Sequence, residues 1–138
     1  MNAIQASGLF VGLPSDWTCG TARIEYQDCS ACGQLWYFAR HFCPGCGNPA
    51  PTRHVASGLG TVYAATVVHR APSAALAAHV PYTLVLVDAN EGFRLMAHGE
   101  TNVMIGDAVR ASYRLFGDVQ VPYFTKYPLH EQEPPRGA

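Results

Sequence analysis

Charge is scarce in this sequence, and lysine is almost missing from it. Charged residues make up 14% of the chain, Lys126 is its one lysine, and the formal net charge is −1. Such a protein does not attract a nucleic-acid backbone through bulk charge, and it has too few basic residues for an extended nucleic-acid groove. We therefore expect no nucleic-acid partner. Because 49% of the residues are hydrophobic, we expect part of the apolar surface to face another protein.

Long apolar runs and a basic N-terminal region are also missing. No stretch approaches the roughly 20 apolar residues of a membrane span, and the first eight residues lack the basic start and apolar core of a signal peptide. We therefore expect no membrane partner. The cysteine usage, with no sign of export, is typical of a protein in the reducing cytoplasm.

What the chain does have is two Cys-x-x-Cys pairs, each followed by a glycine, at Cys29, Cys32, Cys43 and Cys46. Two such turns facing each other form a tetrahedral cage of four thiolates suited to Zn²⁺. Four thiolates leave no open position for water, so the predicted metal site is structural. The alternative is a pair of disulfides, which the absence of export signals disfavours.

The cysteine pairs indicate how the chain is divided. We predict an N-terminal arm over 1–20, a zinc ribbon over 21–50, an OB-fold barrel over 51–127 and a flexible tail over 128–138. The arm contains Cys19, which we interpret as a small buried hydrophobe rather than a reactive thiol.

Two short strands, at 22–28 and 34–42, would carry the cysteine turns of the ribbon. A hairpin this small has no core of its own, so the metal would supply much of its folding free energy. It is nevertheless rich in aromatic side chains, at Trp36, Tyr37, Phe38 and Phe42. We expect these to pack the ribbon against the next domain, in preference to stacking on bases.

Beyond residue 59 the pattern changes to strands separated by turns. We predict strands at 60–70, 81–88, 93–100, 108–115 and 121–126. Alternation along the fourth strand points Val109, Ala111, Tyr113 and Leu115 inward. Five strands with little helix indicate a small Greek-key barrel of the OB type, so the fold class is mainly β.

Candidate ligand-binding residues lie around the connection after the first barrel strand. His69 and Arg70 could hold a phosphate or carboxylate, or they could form a solvated strand end. The segment 71–80 that follows is unusually apolar, which is explained by burial under a partner, by an apolar ligand tail, or by a short packed helical turn.

Two further patterns are weaker. Arg110, Arg114 and Lys126 could form a modest cationic patch for a nucleotide-like ligand, although scattered surface charge explains them as well. His98 and Glu100 match the His-x-Glu of zinc deaminases, but their order relative to the cysteines is reversed and four thiolates already saturate the metal. We interpret His98 as a residue of the barrel or its rim.

The order of motifs resembles one known family. After the cysteine ribbon come Gly60-Thr-Val-Tyr, Thr66-Val-Val-His-Arg-Ala-Pro72, Pro81-Tyr82, Glu91-Gly-Phe-Arg94 and Ile105-Gly-Asp-Ala-Val109. From about residue 25 to 127 this is similar to the zinc-ribbon/OB-fold proteins that accompany thiolases and other acyl-CoA enzymes, long described as a domain of unknown function. The resemblance implies a rubredoxin-like ribbon followed by a five-stranded OB barrel.

It also implies a role. Members are non-catalytic accessory subunits of thiolase-fold proteins in acyl transfer, thiolysis or retro-aldol cleavage of CoA thioesters, and some are proposed to bind acyl-CoA. On this chain the acyl-CoA contacts would be His69, Arg70 and Tyr82, with structural Zn²⁺ on the four cysteines. The alternatives are a free-standing acyl-CoA or nucleotide binder and, less favoured, a nucleic-acid-binding OB protein.

Overall fold

The computed structural model describes residues 22–117 and 119–127, so the predicted arm over 1–20 with Cys19 and the predicted tail over 128–138 lie outside the described residues. The first unit is a three-stranded antiparallel sheet in the order β2-β1-β3. Its strands are β1 Glu25–Asp28, β2 Leu35–Trp36 and β3 Thr52–Val55. In the part of the chain that is described, no helix is long and apolar enough to cross a membrane.

The ribbon differs from its sequence prediction in two places. The second strand covers only Leu35–Trp36 instead of 34–42, because the Gln27 side chain binds the main chain of Arg40 and holds it away from the strand ladder. A third strand, Thr52–Val55, pairs with β1 although it lies beyond the expected ribbon boundary at residue 50. The ribbon sheet therefore extends into the first residues of the range that the sequence predicted to belong to the barrel.

The second unit is a closed five-stranded barrel in the order β4-β5-β6-β8-β7, as an OB fold requires. β6 and β8 are parallel, and the other neighbours are antiparallel. The strands are β4 Leu59–Val68, β5 Tyr82–Ala89, β6 Arg94–Gly99, β7 Ala108–Phe116 and β8 Val119–Lys126. The mainly β class, the barrel and its five strands were all predicted from the sequence.

Alternation along the strands fills the barrel. Thr83, Val85 and Val87 of β5 are buried at every second position, and β5 lies between β4 and β6. The core cluster comprises Ile24, Val62, Val85, Val87, Phe93, Leu95, Ala97, Val103, Val109 and Phe124.

One inward assignment was wrong. Leu115 is 72% exposed, although its position alternates with the buried Val109. β7 pairs with β4 only through Ala108–Arg110, so the far end of the β7–β8 hairpin extends beyond the closed part of the barrel. There the alternation of side chains no longer separates core from solvent.

The ribbon and the barrel share one core. Ile24, just before β1, is 1% exposed and belongs to the barrel cluster, and its carbonyl accepts a hydrogen bond from the Ala56 N–H at 2.8 Å. Phe93 of the barrel stacks on Tyr26 at 4.8 Å between ring centroids. The ribbon therefore packs on the barrel through aromatic side chains, but of the four predicted residues only Tyr37 does so. Trp36 is buried with Cys29 and Cys43 inside the ribbon, and Phe38 and Phe42 are exposed.

Candidate functional site

The two cysteine turns have the same backbone geometry. The Gly33 N–H donates to the Cys29 carbonyl at 2.7 Å, and the Gly47 N–H donates to the Cys43 carbonyl at 2.9 Å. Both glycines have φ of +82°, which a side chain with Cβ rarely adopts. The glycine after each pair is thus what closes each turn behind its sulfurs.

The sulfurs of the four cysteines meet in one cluster. All four Sγ atoms lie within 4.8 Å of one another, with Cys29 to Cys46 at 3.5 Å and Cys32 to Cys43 at 3.6 Å. A tetrahedral ion with bonds of about 2.3 Å to sulfur needs sulfurs about 3.8 Å apart, whereas a disulfide needs about 2.05 Å. The geometry therefore fits a divalent metal ion and not a pair of disulfides.

Backbone and side-chain donors surround these sulfurs. Cys43 Sγ accepts hydrogen bonds from the N–H groups of Gly45 at 3.3 Å and Cys46 at 3.4 Å. Asn48 Nδ2 donates to Cys29 Sγ at 3.4 Å, and this bond, together with the Cys32 N–H, lowers the pKa of the Cys29 thiol to about 6. The surroundings favour the thiolate, the form that binds a metal, at Cys29 and Cys43, whereas hydrogen bonds with neighbouring cysteine sulfurs raise the pKa of the Cys32 and Cys46 thiols.

The predicted ligand residues His69 and Arg70 follow the end of β4 and are exposed. The apolar segment after them forms a short 3-10 helix, Ala74–His79, so it is helical, but none of the helix residues is buried and the helix is not a packed turn. Tyr82 begins β5 directly after this segment and is half-buried. The fold thus places the three residues at the two ends of one connection.

Tyr82 belongs to an aromatic cluster that the sequence did not predict. Its ring contacts His98 at 5.2 Å and Phe116 at 4.8 Å between centroids, and Phe116 also contacts His79 at 4.7 Å. These residues come from four separate segments, so no spacing along the chain could have revealed the cluster. The OB-fold ligand face is bordered by the loop before β5 and the loop after β7, and this cluster joins those two loops.

His98 is the buried member of the cluster. It is 6% exposed, and burial lowers its pKa to about 4. The ring is therefore neutral at pH 7 and packs as an aromatic group, as expected for a barrel residue. It does not join the cysteine cluster, which consists of the four sulfurs alone among the described residues.

The basic residues of β7 and β8 are stacked on tyrosines. The Arg110 guanidinium lies 4.6 Å from the ring centroid of Tyr127, and that of Arg114 lies 3.6 Å from Tyr123. Lys126 Nζ instead lies 3.8 Å from Asp107 Oδ2. The two arginines share one face of β7, while the lysine is partly neutralised, so the three do not act as one cationic group.

The family match to known proteins lies mainly in the barrel. Residues 54–114 match the family model described as the C-terminal OB-fold domain of ChsH2. A probable enoyl-CoA hydratase alpha subunit of Thermomonospora curvata is 36% identical over 76 residues, which are 55% of this chain and 23% of that protein. A DUF35 domain-containing scaffold protein of Methanocaldococcus jannaschii is 31% identical over 91 residues, 62% of this chain and 64% of the relative. The chain thus spans less than two thirds of either curated relative.

Solved structures extend the likeness across the ribbon. A DUF35-family protein of unknown function from Sulfolobus solfataricus shares the fold, with a TM-score of 0.51, 19% identity and 76% of each chain covered. A chain of the Ltp2-ChsH2(DUF35) aldolase aligns with a TM-score of 0.61 at 30% identity, covering 75% of this chain and 84% of the solved one. On its cysteine ribbon, its closed barrel and these matches, this chain belongs to the DUF35 family.

Proposed function

We propose that this chain is a non-catalytic accessory subunit that binds a thiolase-fold enzyme acting on CoA thioesters, by thiolysis, acyl transfer or retro-aldol cleavage. One observation carries the proposal: most of the chain is similar to the DUF35 chain of the Ltp2-ChsH2 aldolase, at 30% identity over 84% of that chain. The scaffold protein of M. jannaschii supports the same kind of role. The partner supplies the catalytic groups.

The cysteine cluster supports the non-catalytic part of this proposal. We assign it Zn²⁺, because four sulfurs within 4.8 Å of one another suit a tetrahedral ion that is soft enough for thiolates. With all four positions filled, the ion would hold the ribbon turns and offer no site for a water or a substrate. The chain's own part is then to present a rigid surface.

Co-expression tests this function directly. The chain is produced together with candidate thiolase-fold proteins of its own organism, and both the complex and the isolated chain are assayed for cleavage of CoA thioesters. We expect a stable hetero-oligomer with activity and no turnover by the isolated chain. Thioester cleavage by the isolated chain would contradict the proposal. So would a partner that forms no complex with the chain and is fully active on its own.

A second proposal is that the chain contacts the acyl-CoA itself. Arg70 and His69 are exposed at one end of the connection, and Tyr82 lies in the aromatic cluster at the other end. The two basic residues could bind a charged group of a ligand while Tyr82 contacts a planar group of the same ligand. Calorimetry with acetyl-CoA tests this. We expect heat that Arg70→Ala abolishes and that Arg53→Ala, in the ribbon sheet, leaves unchanged.

A further inference from the structure

Two phenylalanines stand in solvent on the segment between β2 and the second cysteine turn. Phe38 is 53% exposed and Phe42 is 60% exposed, whereas Trp36 and Cys43 on either side of them are buried. Single exposed apolar residues are ordinary, but two large exposed aromatic side chains four positions apart on one short segment are not. We call residues 38–42 the ribbon loop.

A buried glutamine fixes the backbone of the ribbon loop at its centre. Gln27 is 6% exposed, and its side-chain oxygen accepts hydrogen bonds from the Arg40 N–H and from Trp36 Nε1, both at 2.7 Å. Its amide nitrogen donates to the Arg40 carbonyl at 3.1 Å. Both main-chain groups of Arg40 are therefore held by β1, so the loop does not have to be ordered when a partner arrives.

The two ends of the ribbon loop are held as well. The Phe38 ring contacts Tyr37 at 4.9 Å, and Tyr37 stacks on Phe93 of the barrel core at 5.8 Å. Phe42 directly precedes Cys43, whose sulfur belongs to the metal cluster. The exposed rings are thus attached to the barrel core at one end and to the cysteine cluster at the other, and aromatic side chains of this kind act as anchors in protein interfaces.

The charge around these rings indicates what the loop meets. Arg40 lies between the two phenylalanines in sequence and is exposed, and no ion pair among the described residues includes it. The two carboxylates of the ribbon are already engaged: Glu25 pairs with Arg23 and Arg53, and Asp28 pairs with His54. The loop therefore combines two apolar anchors with a cation that has no carboxylate partner in its own domain.

We propose that the ribbon loop is a docking surface for a partner protein, inserting Phe38 and Phe42 into an apolar pocket bordered by carboxylates that bind Arg40. A second copy of the chain fits less well, because a two-fold contact centred on this loop would place Arg40 against Arg40. Two rings and one arginine are also too few for stable insertion into a lipid surface. This inference rests on the proposed function, since it names the surface by which the subunit holds its enzyme.

The test measures the affinity of the purified partner enzyme for variants of the chain. We expect Phe38→Ala and Phe42→Ala each to weaken binding by about 30-fold or more, and Arg40→Glu to do the same by charge reversal. The matched controls are Leu115→Ala, which removes another exposed apolar side chain, and Arg110→Glu, which reverses another exposed arginine; both should change affinity less than threefold. Metal content and the unfolding midpoint of each variant show that the ribbon still folds.

A photo-crosslinking residue at position 38 identifies what the loop touches. We expect crosslinks to a partner peptide containing apolar residues beside Asp or Glu, and a Lys substituted for that acid should restore binding to Arg40→Glu. Crosslinks only between copies of the chain, or only to lipid, would overturn the proposal. If wild-type chain forms no complex, the proposed function fails; if the complex forms and the loop variants bind normally, only this inference fails.

Discussion

The rings of Tyr37 and Phe93 lie parallel, with 4° between their planes and 5.8 Å between their centroids. Tyr37 belongs to the ribbon and Phe93 to the buried core of the barrel, where it is 5% exposed. The contact thus crosses the boundary between the two units. Phe93 also stacks on Tyr26, so one barrel side chain contacts two ribbon residues. We therefore expect the two units to unfold together.

A double-mutant cycle tests this coupling. Phe93→Leu keeps an apolar side chain but removes the stacked ring, and Tyr37→Leu removes its partner. We expect a coupling free energy of about 1 kcal/mol between the two substitutions, measured by urea unfolding. The control cycle pairs Phe93→Leu with Leu115→Ala, whose exposed side chain should give additive effects. Additivity in both cycles would show that the aromatic stack contributes nothing beyond burial.

Removal of the proposed Zn²⁺ should destabilise the chain through its ribbon. Among the described residues, the ribbon's own core cluster comprises only Cys29, Trp36 and Cys43, so a bound ion would provide much of the ribbon's stability. We expect a chelator to lower the thermal midpoint and Zn²⁺ to restore it, with Cys43→Ser giving the same loss without rescue. An unchanged midpoint in the chelated protein would argue that hydrogen bonds alone hold the cysteine turns.

Gln27→Leu should destabilise the ribbon although the substituted residue is apolar. It leaves the Trp36 Nε1–H and both main-chain groups of Arg40 without their partner, which costs about 1–3 kcal/mol when such groups remain buried. Amide hydrogen exchange at Arg40 should accelerate in parallel with the fall in unfolding free energy. Gln34→Leu, an exposed glutamine of the same ribbon, is the matched control, and equal losses in both variants would contradict the assignment.

Acidification should weaken the barrel through His98. Its pKa is about 4 in the folded protein and about 6.5 when unfolded, so between these values the unfolded chain binds a proton that the folded chain does not. Folding stability is therefore unaffected above pH 6.5, falls as the pH drops toward 4, and is lower by about 2 kcal/mol at pH 5. Urea midpoints at pH 7 and pH 5 should differ for the wild type and differ less for His98→Phe. The exposed His41 offers the control, since His41→Phe should keep the full pH dependence.

Gly60 is required because neighbouring atoms leave no room for a side chain, and not because of its φ angle. A Cβ at this position would lie 2.6 Å from the Asp88 carbonyl oxygen and 2.6 Å from a Val87 methyl carbon, and the oxygen belongs to the backbone of β5. We expect Gly60→Ala to destabilise the barrel by about 3 kcal/mol or to prevent folding. Gly106→Ala, which meets open space at φ of +95°, should cost only about 1 kcal/mol. A thermal midpoint for Gly60→Ala above that for Gly106→Ala would refute this reasoning.

The sequence by itself determined the cysteine cluster and the barrel. The spacing of two Cys-x-x-Cys turns with trailing glycines acts over a few residues, and alternation in strands such as β5 acts over eight, so both are decided locally and can be read along the chain. The family resemblance followed from the same local motifs.

Only the tertiary structure decided which distant side chains meet. The cluster of His79, Tyr82, His98 and Phe116 joins four segments, and the exposure of Leu115 depends on where β7 leaves β4. The end of β2 after Trp36 likewise depends on Gln27, nine residues earlier, whose side chain takes the main-chain hydrogen bonds of Arg40. Side-chain contacts across strands follow from register and closure of the barrel, which no local pattern specifies.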